Sequence, residues 1–381
     1  MKQMPHRDAT SVYLPRHPAV AYLFLVGPLR AENLSTAAND SYSIQVNTIN
    51  SMKLDVAFGE YDRTRVLADG TVKIDGVEAH FHTHRIVSDV FAGMIRDRTY
   101  DVSELGMTYF LRTMDFEDAP FIAIPVFPVR CFRHSAIYVN KASGIKTPRD
   151  LIGKTIGEFA VYGHDAGVWP KGILADEYGV TPNQCRWIVG GLDWPLKPID
   201  FIPHLHPADT EVTQAPTGKD LGEMLEAGEI DALIAADVPK CVLQKSPKVG
   251  HLFEDYESTE RDYYRRTGIF PIMHTVAVRK ELASERPEVV KAVYKGFCDA
   301  KDAVRKQYEK GMIFNNMATM MPWFTKLVDE DRSLLGEDWW PYGLGANRKA
   351  IDTFLRYHFE QGLSKRRMTC EDIFVPELLG T

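Results

Sequence analysis

No block of basic residues occurs anywhere in the 381-residue chain, and Lys plus Arg (45) fall short of Asp plus Glu (52), leaving a formal charge of −7. The phosphate attraction on which nucleic-acid binders depend is missing, so a nucleic-acid partner is not expected. No run approaches the roughly 18 apolar residues of a membrane span, which excludes an integral helical membrane protein. Cysteine is sparse. Cys131, Cys185, Cys241, Cys298 and Cys370 stand far apart without a C-x-x-C pair, and five is odd, so neither a disulfide framework nor a zinc ribbon is suggested. A reducing, cytoplasmic location is the expectation. There is no P-loop or G-x-G-x-x-G to hold a nucleotide, no internal repeat and no low-complexity segment. What remains, 45% hydrophobic, 25% charged and 11% aromatic residues, is the composition of an ordinary globular protein.

Residues 1–51 contain one short apolar stretch, Val20 to Leu29, broken by Pro28, and no sustained period. A secretory leader would use this stretch as its apolar region, but the segment before it is long and carries prolines and an aspartate. A disordered N-terminal extension is the better expectation, with Met52 running directly into a strand.

From Met52 onward, strands and helices alternate. Leu54 to Phe58 reads as a strand, and Val72 to Val77 and Glu78 to His84 flank a turn at Asp75-Gly76. Val87 to Arg96 has helical spacing, and Tyr100 to Leu105 is again a strand. Phe121 to Val129 and Ser135 to Val139 are further strands. A second unit follows, with a strand to Glu158, a helix from Pro170 to Tyr178, a strand at Arg186 to Val189, a helix at Leu221 to Ala227 and a strand at Asp231 to Ala235. The strand Ile272 to Arg279 leads into a long amphipathic helix from Arg286 to about Lys310, with Pro287 in its first turn. An aromatic loop (Glu337 to Gly345) and a helix (Arg348 to Gln361) close the pattern, an α/β sandwich with short connections.

The order of elements, with GIKTPRDLIGKTIG after an outgoing strand and IMHTVAVRKELASERPEVVKAV on the return, resembles a type II periplasmic-binding-protein-like fold. This implies two α/β lobes, one from residues 52–130 with 275–381 and one from residues 131–274, joined by two crossing strands, with the ligand between them. More narrowly, FGEYDRTRVL, YDVSELGMTYF, IPVFPVRCFRHSAIYVN, VWPKGILADEYGV and DWWPYGLGANRKAIDTFLRYHFEQGLSKRRMTCEDIF resemble the 4,5-dihydroxyphthalate decarboxylases over essentially all of the chain from Met52. The resemblance implies a carboxy-lyase of phthalate degradation acting on a small aromatic dicarboxylate and yielding protocatechuate and carbon dioxide; a homo-oligomer is left open. A fold by itself does not determine a function, so a solute-binding protein for an aromatic carboxylate is the alternative.

The chemistry of that reaction needs no organic cofactor. Each carboxylate of 4,5-dihydroxyphthalate is para to a hydroxyl, which can push electron density to the carbon that must accept a proton. Loss of carbon dioxide then restores aromaticity. The site must supply a carboxylate clamp, a general acid for carbon and an acceptor for the phenol. Arginine suits the clamp because its planar fork binds a carboxylate bidentately. Arg63 lies between Asp62 and Thr64, where Thr64 could cap a helix and its amides help hold an anion; Arg130 and Arg133 flank the outgoing crossover. The competing reading makes each a structural ion pair. For the acid, His134 adjoins Arg133 and comes first, with His164 at a strand-to-helix turn and His274 on the return strand as replacements. Glu104 ends a strand where open α/β sheets place ligand groups. Trp169 could stack on the substrate ring or plug the core. His80, His82 and His84 alternate on one strand face, but span about 13 Å, too far for all three to hold one ion, although two neighbours could. No metal is expected.

Overall fold

The computed structural model describes residues 51–381 apart from 85, 195, 197, 198, 315, 316 and 318. The extension expected over residues 1–51 lies outside the described residues but for Ser51.

Alternation along β1 (Met52–Gly59) turns Leu54, Val56 and Phe58 to one core and Ala57 to another. The chain continues through α1 (Asp62–Ala68), β2 (Val77–His84), α2 (Val87–Ile95), β3 (Val102–Gly106), α3 (Met107–Thr113) and β4 (Phe121–Ile124). It then builds β5 (Ile137–Asn140), β6 (Thr155–Phe159), α4 (Asp165–Tyr178), β7 (Arg186–Gly190), β8 (Glu211–Gln214), α5 (Leu221–Ala227), β9 (Ala232–Ile234), α6 (Lys240–Leu243), β10 (Val249–His251) and α7 (Tyr256–Thr267). The return gives β11 (His274–Arg279), α8 (Lys280–Glu285), α9 (Pro287–Ile313), α10 (Phe324–Leu335) and α11 (Arg348–Glu360). No helix among the described residues is long and apolar enough to cross a membrane.

Two mixed sheets result, a five-stranded one in the order β2-β1-β3-β11-β4 and a six-stranded one in the order β10-β5-β9-β6-β7-β8. The first has β1, β2 and β3 parallel and β11 antiparallel between β3 and β4. Two segments connect the sheets. Outgoing residues past β4 and incoming residues before β11 pair at Arg130 and Ile272, and Met273 N–H donates to the Val129 carbonyl at 2.9 Å. The buried face of α9, with Val289, Val293, Phe297 and Ala300, covers the Leu54-Val56-Phe58 face of β1. The C-terminal α11 leaves the first sheet and packs on α4: Arg356 pairs with Asp176 at 2.5 Å, and Tyr357 fills the space over Gly172.

Several elements differ from what the sequence pattern suggests. Residues 72–76 form no strand, so only the Glu78 side of that pair is extended. Helix α4 begins at Asp165, five residues before Pro170, because His164 caps it. The strands β8 and β10 and the helices α7 and α10 have no counterpart in the sequence pattern. The strands are four and three residues long, and only Tyr263 of α7 and Val328 of α10 are buried, so these elements carry little periodic signal.

Candidate active site

Glu104, midway along β3, and His274, the first residue of β11, meet beside the crossover between the sheets. The strands run antiparallel with Val276 opposite Glu104 and His274 opposite Gly106, so Glu104 and His274 are diagonal neighbours on one face. Nδ1 of His274 lies 2.6 Å from Oε1 of Glu104. The Tyr61 hydroxyl donates to the same oxygen at 2.9 Å, and the Gly59 N–H donates to Oε2 at 2.8 Å. Glu104 is fully buried yet has three donors, which is what a buried carboxylate requires. Burial and the Glu104 carboxylate push the Tyr61 phenol well above its usual range, so it remains a donor. The His274 ring packs edge-on to Phe91 with centroids 5.3 Å apart, and its Nε2 makes no hydrogen bond among the described residues.

The first turn of α1 supports this pair. Tyr61 precedes the helix and donates its N–H to Thr64 Oγ1 at 3.1 Å, while the Thr64 hydroxyl donates to the Gly59 carbonyl at 2.8 Å. Thr64 is therefore a buried, fully engaged residue inside the helix and not its cap, a correction to the expected anion contact. Its role is to fix Gly59 and Tyr61 around Glu104.

The start of α4 reaches the same junction from the other sheet. His164 Nδ1 accepts the Ala166 N–H at 3.2 Å, which closes the helix, and burial with Arg133 nearby pushes the imidazole down to about 3. His164 is thus a neutral cap. Asp165 Oδ1 accepts the Thr108 N–H at 2.7 Å, and its Oδ2 is buried without a partner. A Cβ at Gly106 would stand 2.1 Å from that oxygen, so only glycine permits this approach. Burial raises the Asp165 carboxyl to about 6, against the lowering influence of His274, Thr108, Arg112 and Arg133. Thr108 Oγ1 and Arg112 Nη2 donate to the carbonyls of Gly163 and Tyr162, each at 2.7 Å, so α3 grips the loop that carries His164 and Asp165. From beneath, Glu158 accepts the Gly163 N–H at 2.9 Å and pairs with buried Lys171 at 2.6 Å.

The arginines separate by their partners. Arg133 is buried, its Nε points to Met273 Sδ at 3.2 Å, and it has no ion pair among the described residues; its charge bears on His164 and Asp165. Arg130 donates from Nη2 to Asn347 Oδ1 and to the Pro341 carbonyl and packs between the rings of Phe127 and Phe270, a structural tie, while its Nε is buried without a partner. Arg63 pairs with Asp62 at 3.1 Å, donates to the Pro128 carbonyl, and lies over Tyr61 and Trp340 with 4.5 Å to each ring centre. The Tyr308 hydroxyl takes the other Asp62 oxygen. A cavity of about 190 Å³ adjoins Arg63, but each of the three cations on its wall is already paired, Arg63 with Asp62, Lys301 with Asp338 and Arg305 with Glu309.

Two more expectations are corrected. His134 sits in a short 3₁₀ turn with its ring against Phe253 and Tyr263, both nitrogens buried and unpartnered, and burial lowers it to about 4. Trp169 is fully buried against Phe354 and Tyr357 and donates its indole N–H to the Ile272 carbonyl at 2.8 Å, so it plugs the core. The structure brings together Glu104, His274, His164 and Arg133, adds Tyr61 and Asp165, and leaves His134, Arg130 and Trp169 in structural surroundings. Asp165 follows His164 directly, and Tyr61 precedes Asp62, so each added residue is the chain neighbour of one that the chemistry singles out.

Comparison with known proteins follows the same lines. No protein-family model matches the chain. A protein of Comamonas testosteroni named 4,5-dihydroxyphthalate decarboxylase is 35% identical over 333 residues, 87% of this chain and 98% of that one. One of the same name from Pseudomonas putida is 36% identical over 217 residues, 57% of this chain and 83% of its own length. Among solved structures, the periplasmic sulfonate-binding protein SsuA of Methylobacillus flagellatus superposes with a TM-score of 0.52 at 12% identity, covering 87% of this chain and 93% of that chain. The aliphatic sulphonate binding protein SsuA of Escherichia coli gives 0.50 at 13% identity, with 87% and 99% covered. These likenesses establish a periplasmic-binding-protein-like fold.

Proposed function

The chain belongs to the 4,5-dihydroxyphthalate decarboxylases, and we propose that it is a carboxy-lyase that converts 4,5-dihydroxyphthalate to protocatechuate and carbon dioxide by protonating the ring carbon in the cleft between its lobes. The observation that carries the catalytic part is the Glu104–His274 pair, with Nε2 uncommitted, close to a buried arginine that has no anionic partner among the described residues.

Arg133 holds one carboxylate of the substrate, its fork giving direction as well as charge. The phenol para to the other carboxylate gives up its proton to Asp165, whose carboxyl at about 6 is poised to receive it near neutral pH. His274 Nε2 delivers a proton to the carbon bearing that carboxylate, forming a dienone. Glu104, held by Tyr61 and Gly59, keeps the imidazole oriented toward the substrate carbon. The carbon–carboxylate bond then breaks, its electron pair returns to the ring, and carbon dioxide departs. Reprotonation of the phenolate by Asp165 completes the balance, with one solvent proton consumed at carbon for each carbon dioxide released. Burial strengthens each of these interactions by excluding water. The five unpaired cysteines favour a cytoplasmic setting for this chemistry.

Incubating purified protein with 4,5-dihydroxyphthalate in D2O tests the reading. Protocatechuate carrying one deuterium at the carbon that lost its carboxylate is expected. Tight binding without turnover would overturn it and favour a solute-binding role.

A further inference from the structure

Away from the cleft, three side chains converge at the outer edge of the first sheet. β1 and β2 pair in parallel with Asp55 opposite His80 and Ala57 opposite His82, which puts Asp55, His80 and His82 on one face. His80 Nδ1 lies 3.0 Å and His82 Nε2 2.7 Å from the same Oδ1 of Asp55, and the three ligating atoms lie within 4.8 Å of one another. The imidazole rings are 4.3 Å apart. Tetrahedral ligands about 2.0–2.1 Å from zinc stand roughly 3.3 Å from each other, so only small side-chain rotations separate the observed arrangement from a coordinating one. The backbone of Asp55 is held in place as well: its N–H donates to the Asp101 carboxylate, and Asp101 N–H to the Asp55 carbonyl, each at 2.9 Å. His84, on the same face, is not part of the set because its Nε2 meets the Tyr100 hydroxyl at 3.1 Å.

We propose that Asp55, His80 and His82 bind one divalent first-row transition ion of the zinc class, with water completing its coordination. Two imidazole nitrogens and one carboxylate oxygen suit such an ion better than magnesium or calcium, which prefer oxygen alone. The His80 side chain is 76% exposed, so the ion enters directly from solvent. β2 is an edge strand joined to the sheet through β1 only, and an ion bridging Asp55 to His80 and His82 clips that edge in place. This site goes beyond the decarboxylase reading and stands whether or not that reading holds.

The test is calorimetric titration of metal-stripped, full-length protein with Zn²⁺, with Co²⁺ absorption reporting geometry. One ion per chain, bound more tightly than about 10 μM, is expected, together with a rise in Tm of a few degrees at hundredfold excess. Binding should weaken at least tenfold in His82→Ala, in Asp55→Asn and in the highly exposed His80→Ala, while His206→Ala leaves it unchanged. Decarboxylation should be the same in all four variants. Absence of saturable binding, or binding that survives His80→Ala and His82→Ala, would overturn the proposal.

Discussion

Glu104 accepts the imidazole of His274 at 2.6 Å, across 170 residues of sequence, and does so with no water-exposed surface of its own. Because Tyr61 and Gly59 also donate to it, the carboxylate is held in place to orient the imidazole. Glu104→Gln should therefore lower kcat about 10²-fold or more while KM changes little, and Glu104→Asp should recover part of the loss. Steady-state kinetics on the two variants decides it; equal losses in KM and kcat would assign Glu104 a purely structural role.

Arg133→Ala should weaken transition-state binding by about 2 to 5 kcal/mol, much of it from leaving a substrate carboxylate unpaired, and lysine should rescue only partly. Arg130→Ala should behave differently, since its guanidinium ties Asn347 and Pro341 to the crossover. A lower Tm with kcat/KM within about threefold of the parent is expected there. Comparing the two by kinetics and thermal melting separates clamp from brace.

Asp165 predicts a pH-dependent trade. Its folded pKa of about 6 lies above the ordinary 3.8, so the stability it contributes is complete below about pH 3.8 and is lost as pH rises through 6. Asp165→Asn, which can still accept the Thr108 N–H, should thus gain up to about 3 kcal/mol relative to the parent at pH 8 and nothing at pH 3.5. It should also lose activity. Denaturant unfolding at the two pH values, alongside turnover, checks both.

His134 carries the opposite sign. Burial holds its folded pKa at about 4, below the ordinary 6.5, so its contribution is intact above pH 6.5 and lost as pH falls towards 4, by up to about 3 kcal/mol. His134→Phe fits the ring pocket of Phe253 and Tyr263, removes two unpartnered nitrogens, and should flatten the acid limb of the stability curve without changing kcat. Tm measured from pH 7 to pH 4 tests the first statement and turnover the second.

Motif order makes the two α/β units and the crossover legible, because strand alternation and helix caps are local signals. The site is legible in its residue types and less so in its assignments. Arg130 and Arg133 stand three apart on one crossover, and partners over 200 residues away, Asn347 and Pro341, tell them apart. His134 follows Arg133 directly, yet a 3₁₀ turn carries its ring into an aromatic pocket. The partnership of Glu104 with His274 depends on the register of β3 against β11, which no local pattern encodes. Threonine favours the cap position, which points to Thr64, whereas Tyr61 is the residue that precedes the helix and Thr64 reaches back to it.

Protonation of the ring carbon by His274 is tested most directly by the single-turnover rate of decarboxylation by His274→Asn with substrate binding followed in parallel. The rate should fall by roughly 10² to 10⁴ with the Kd for 4,5-dihydroxyphthalate nearly unchanged. A rate within about threefold of the parent, in a variant that remains folded, would contradict it.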